Sequence, residues 1–190
     1  MATDAQLTAI SSDFEGATAR LEQFARQVPG EAWLRRPLTR GWSPAECVAH
    51  LNLTAERFLP LMRQALADAP LLPAGSDRRL RKDFVGWLLW SIMPPPVRLI
   101  RSRTTPEFVP PGELDPARVI AEFRRLQVQQ LAVLEAARGR EIDRVFVASP
   151  FNARVRYNLF ACLGILARHQ HRHLWQAEQA VAAGWAVGGD

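Results

Sequence analysis

The stretch Gly41-Trp42-Ser43-Pro44-Ala45-Glu46-Cys47-Val48-Ala49-His50-Leu51 carries the clearest structural signal in this chain. Ser43 is a good N-cap, because its hydroxyl can accept from a backbone N–H that the first helical turn leaves orphaned. Pro44 then falls at N1, where a missing N–H costs nothing. Glu46 at N3 completes an S-x-x-E capping box. The helix that follows runs through Val48, His50, Leu51, Leu53, Phe58, Leu61, Met62 and Leu66. Pro60 lies inside it and is expected to kink it or to start a new turn.

Three further helical stretches surround this one. Upstream, Leu7, Ile10, Phe14, Ala17, Leu21, Phe24 and Val28 recur in steps of three and four from about Asp4 to Gln27, and Pro29-Gly30 stops them. Downstream, Asp115-Pro116 repeats the N-cap and N1 logic and opens a helix to about Arg138, ended by Gly139. A last helix is expected from about Tyr157 to Ala183, ended by Gly184. Arg144-Val145-Phe146-Val147 could extend locally, but four residues do not make a sheet. Four helices and almost no strand signal predict an all-α four-helix bundle, as a single domain over residues 1–190. A Pro/Trp-rich insert, about 70–111, interrupts it between helices 2 and 3. Within that insert a short helix is expected between Arg78 and Met93, covering one end of the bundle or meeting a partner subunit.

Composition narrows the function. With 190 residues, 23% charged and a mean hydropathy of -0.11, the chain is an ordinary globular sequence rather than a disordered one. Two cysteines rule out a disulfide scaffold or a four-cysteine zinc module. The longest nearly uncharged apolar run, Phe84 to Met93, is half the roughly 20 residues a bilayer span needs. With no signal-peptide pattern at its start, the protein is expected to be cytoplasmic and not to act on membranes. The net charge of +5 and the sequence pI near 10.4 look basic, but Lys82 is the only lysine. Arginine stays protonated above about pH 12 and so inflates the pI. Arg78, Arg79, Arg81 and Lys82, with Arg98, Arg101 and Arg103 beyond, lack the aromatic ladder of a nucleic-acid groove. They read as a solvated face, and no nucleic-acid partner is expected.

The histidines point elsewhere. There are four, His50, His169, His171 and His173. At about 100° per residue, His169 and His173 stack on one face of the last helix while His171 points roughly 200° away. Leu159, Cys162, Leu166, Gln176 and Ala180 share the face of His169 and His173, so both rings interrupt an apolar stripe. His50 likewise continues the inward stripe of the second helix. Each ring could be a separately hydrogen-bonded core histidine. One divalent cation shared by His50, His169 and His173 would satisfy all three at once, and bundle cores are where facing side chains build such sites. Glu46 and Gln176 are candidates for a supporting layer around the ligands, although the capping box explains Glu46 without any chemistry. Trp42, Trp87 and Trp90 are candidates for lining a pocket, with packing as the plainer reading, and Cys47 and Cys162 read as small apolar fillers.

The segments Gly41 to Leu51 and Arg168-His169-Gln170-His171-Arg172-His173-Leu174-Trp175-Gln176 resemble the two signature stretches of the DinB-like (YfiT-like) superfamily. The resemblance implies a four-helix bundle, often a homodimer, that binds nickel, zinc, iron or manganese through His50, His169 and His173. It also implies relatives that are thiol-dependent S-transferases and isomerases using mycothiol or bacillithiol. Nickel or zinc is the metal expected here, with iron and manganese as alternatives and a low-molecular-weight thiol as a candidate cosubstrate. The long insert departs from the compact family pattern and is expected to shape the substrate pocket.

Three neutral ligands leave a cation its full charge and at least one open position, the arrangement of catalytic rather than structural sites. The function expected is therefore a metal-dependent hydrolase or thiol-dependent transferase acting on a small molecule. Two alternatives stay open: a non-catalytic metal-binding or stress-related protein, and a helical interaction module working through Trp87 and Trp90.

Overall fold

The computed structural model describes residues 2–37, 41–76, 78–94 and 105–185. Its long helices are α1 (Ala2–Gln27), α2 (Pro44–Ala67), α4 (Pro116–Ala136) and α5 (Leu159–Trp185), with a short α3 (Phe84–Ile92) between α2 and α4. Both α1 and α2 pack against α4 and α5, which sets α1 and α2 across one diagonal of a four-helix bundle. The consequence for function is that α2 and α5 are neighbours.

Local chemistry accounts for the boundaries. Glu46 N–H donates to Ser43 Oγ at 3.2 Å and Ser43 N–H donates back to Glu46 Oε2 at 2.8 Å, so the capping box forms in full. Asp83 caps α3 and Asp115 caps α4 by accepting from Gly86 N–H and Ala117 N–H. Gly139, at φ +70, supplies the left-handed residue beyond the end of α4. Pro60 does not end α2, which continues through it to Ala67 with the ring on the solvent face.

Two sequence expectations need correction. A two-stranded antiparallel hairpin, β1 (Phe146–Ser149) and β2 (Asn152–Asn158), precedes α5, with a register shift between Ala148 and Ser149. The alternation Arg154-Val155-Arg156-Tyr157 carried the second strand, and only pairing with β1 makes it one. Residues 157 and 158 therefore belong to the hairpin, and α5 starts at Leu159 and extends past Ala183 to Trp185. The insert helix is also shorter than expected, since the Arg78–Asp83 stretch is not helical. It lies along α5 and β2, and any side chain at Gly86 would collide with Ala161. Pro95, Pro96, Arg98, Arg101 and Arg103 lie outside the described residues.

The core is split in two. One apolar cluster holds Leu7, Ile10 and Phe14 of α1 with Phe58, Leu126 and Leu163; the other holds Ala17 and Leu21 with Leu51, Phe123 and Leu174. Along each bundle helix the clusters meet at one level. The residues at that level include His50, Asn52, Thr54, Gln127, Gln170 and His173, all buried. A polar layer thus crosses the middle of the bundle.

Candidate metal centre

Three imidazoles converge in this layer. His50 from α2 and His169 and His173 from α5 each offer a ring nitrogen, and these nitrogens all lie within 4.8 Å of one another. Ring centroids are 4.5 Å apart for His50 and His173, 5.2 Å for His50 and His169, and 4.4 Å for His169 and His173. The helical phase anticipated the last pair, and the α2–α5 contact brings the first ring to it. His171 faces the other way, its Nε2 donating to the Asp13 carbonyl of α1 at 2.9 Å.

Each ring's hydrogen bonding bears on what it can hold. His50 Nδ1 is 2.8 Å from the Phe108 carbonyl. A carbonyl only accepts, so Nδ1 carries the proton and Nε2 keeps its lone pair for a ligand. His169 Nε2 and His173 Nε2 are 3.0 Å apart. Two lone pairs facing each other at that distance repel, so one ring must donate or a cation must lie between them. Nitrogens each about 2.0–2.1 Å from one ion are separated by about 3 Å, so the spacing fits a shared ligand role. His173 Nδ1 is buried with no hydrogen-bond partner among the described residues.

Electrostatics favours the ligating form. Burial pushes His50 below its ordinary value, against the Phe108 hydrogen bond, which favours the charged ring. His169 and His173 are held well below theirs, first by burial, then by the other histidines and Arg172. His169 is partly open to solvent as a residue, yet its ring is enclosed by His50, His173 and Phe151. All three rings are neutral near pH 7, as metal ligation requires.

The surrounding residues divide clearly. Trp42 lies against the centre, its ring 4.8 Å from His50 and 5.9 Å from His173. Gln176 is close enough to His173 to favour a proton on its ring. Glu46 is occupied by the capping box and by Arg36, which donates to both carboxylate oxygens. Trp87 and Trp90 are not brought to the histidines: Trp87 is 51% exposed against Phe84, and Trp90 lies under Lys82 and Arg168. The Cys47 and Cys162 thiols stay outside the cluster, and burial pushes both up, Cys47 to about 12.

Two aromatic residues in the site escaped the sequence reading. Phe108, from a 3-10 turn in the insert, and Phe151, at the tip of the β1–β2 hairpin, stack at 4.0 Å between centroids and both touch His50. Nothing local in the sequence connected either phenylalanine to a histidine. The insert does therefore reach the site, through Phe108 and its carbonyl rather than through the tryptophans.

The family model of the DinB superfamily matches residues 13–177, which covers α1 through most of α5. The chain belongs to the DinB superfamily. Its mainly helical fold agrees with that membership, and the match spans His50, His169 and His173. No curated protein and no solved structure matches this superfamily member significantly. No helix among its described residues is long and apolar enough to cross a membrane.

Proposed function

We propose that this DinB superfamily protein is a metal-dependent enzyme, with His50, His169 and His173 holding one divalent ion. The observation that carries the reading is the convergence of three neutral imidazoles, two of them buried, one with its lone pair freed by the Phe108 carbonyl and two facing each other at 3.0 Å. Without a shared partner, two Nε2 atoms facing each other at 3.0 Å could be satisfied only by one donating to the other, and the free lone pair of His50 would have no partner among the described residues. An all-imidazole donor set suits zinc or nickel, and iron as well.

When bound, the ion would act as a Lewis acid that lowers the pKa of a water or a small thiol at its open position. The chain's own residues orient and shield. Phe108 fixes the His50 tautomer, while Trp42, Phe108 and Phe151 surround the rings with apolar surface. Glu46 is neutralised by Arg36 and the two thiols stay protonated, so none of these supplies the nucleophile. The reaction proposed is a hydrolysis by an incoming water or, as the family resemblance implies, a low-molecular-weight-thiol-dependent transfer to a small molecule.

Elemental analysis of protein purified without a histidine tag is the direct test. About one equivalent of a transition metal is expected, and its loss in His50→Ala. A wild-type chain that stays metal-free after exposure to zinc and nickel would overturn the reading.

A further inference from the structure

Arg172 is the residue beside the centre that metal ligation does not explain. It is half-buried on α5, between His169 and His173 in sequence, and it makes no hydrogen bond or ion pair among the described residues. The other half-buried arginines are all engaged. Arg20 pairs with Glu178, Arg78 with Asp143 and Arg138 with Glu135, while Arg140 and Arg168 donate to the Ala69 and Trp90 carbonyls. Burial works against the Arg172 charge with nothing to offset it, and an uncompensated, partly desolvated cation is costly.

Its position gives that cost a use. Arg172 follows His169 by three residues on α5 and so is its neighbour along the helix, next in sequence to His173. His50 and His173 are buried, whereas Arg172 and Gln176 are partly exposed and mark the side of α5 that faces solvent. Arg172 and Gln176 are four residues apart and so are neighbours on one helix face. Arg168, one turn before Arg172, stacks 3.4 Å from the Trp90 centroid, with Lys82 Nζ 4.2 Å from the same centroid. Among the acids, Asp13 acts on this cationic group, through Arg168.

We propose that Arg172 seats an anionic group, a carboxylate or a phosphate, of the small molecule whose reacting end meets the three-histidine centre. The guanidinium fork matches either group in two parallel hydrogen bonds, and the ligand would supply the partner that the fold withholds. This deepens the metal-enzyme reading and rests on it for the location of the reacting end.

Calorimetric titration of the full-length, zinc-loaded protein with succinate and with inorganic phosphate tests it, with succinamide as the uncharged control. At least one anion is expected to bind and succinamide not to. Arg172→Gln should weaken that binding roughly ten- to hundredfold, the range for a hydrogen bond to a charged group, with zinc content unchanged. Arg172→Lys, which keeps the charge without the fork, should fall in between and guards against a folding defect in the glutamine variant. The anion whose affinity drops more identifies the group as carboxylate or phosphate. Anion binding that survives Arg172→Gln, or no binding to the loaded wild type, overturns the inference and leaves the metal reading intact. A metal-free wild type with Arg172-dependent anion binding overturns the metal reading and supports the anion seat.

Discussion

His171 and His173 stand two positions apart on α5 and have opposite surroundings. The ring of His171 ties α5 to α1 through the Asp13 carbonyl, and Arg20 reinforces the tie by donating to the His171 carbonyl and to Glu178. The ring of His173 is buried against His169, His50 and Trp42. His171→Ala is therefore expected to cost about 1 kcal/mol of stability, the net worth of one hydrogen bond, and to leave metal content unchanged. His173→Ala is expected to abolish metal binding, because it removes one of three ligands. Elemental analysis of the two variants checks this, and equal losses would overturn the assignment of inward and outward rings.

The start of α2 and the seat of α3 make testable predictions about elements. Burial works to raise the Glu46 carboxyl, but hydrogen bonds from Arg36 and Ser43 outweigh it and hold the group below its ordinary value of 4.5. A carboxylate with a lower pKa folded than unfolded contributes stability that is complete above the unfolded value and is lost as pH falls through the folded one. Urea unfolding at a series of pH values should show wild type losing stability below about pH 4.5 more steeply than Glu46→Gln, and parallel curves would refute the linkage. Ser43→Ala should cost about 1 kcal/mol at neutral pH by removing the cap. On α3, Gly86→Ala forces the new methyl into Ala161 and should destabilise by roughly 1–3 kcal/mol, the usual range for overpacking. Thermal unfolding checks it, and an unchanged Tm would mean that α3 is not seated on α5.

Across the whole molecule, the polar layer between the two apolar clusters is held by amides as well as by imidazoles. Gln127 of α4 donates to the Phe14 carbonyl of α1 at 2.7 Å and exchanges hydrogen bonds of 2.9 and 2.8 Å with Gln170 of α5. Gln127→Leu strands the buried Gln170 amide and should cost roughly 1–3 kcal/mol; adding Gln170→Leu should recover part of it, since removing both partners costs less than orphaning one. Denaturant unfolding of the single and double variants measures this, and simple additivity would argue against the network. Much of this layer was legible beforehand. The capping box, the N1 prolines and the steps of three and four determined by themselves where α1, α2 and α4 run and which faces of α2 and α5 turn inward, because such signals act within a few residues of chain. The inward phase of His50, His169 and His173 came with them. What only the tertiary structure decided is which distant pieces meet: the α2–α5 contact that joins His50 to the other two, the β1–β2 hairpin that delivers Phe151, and the insert that brings the Phe108 carbonyl to His50 Nδ1. Trp87 and Trp90 show the same limit from the other side, since the sequence left both pocket lining and packing open to them and only the tertiary structure set one in solvent and the other under two cations. Contacts between residues far apart in sequence depend on how whole elements dock, and no local pattern of residues encodes that docking.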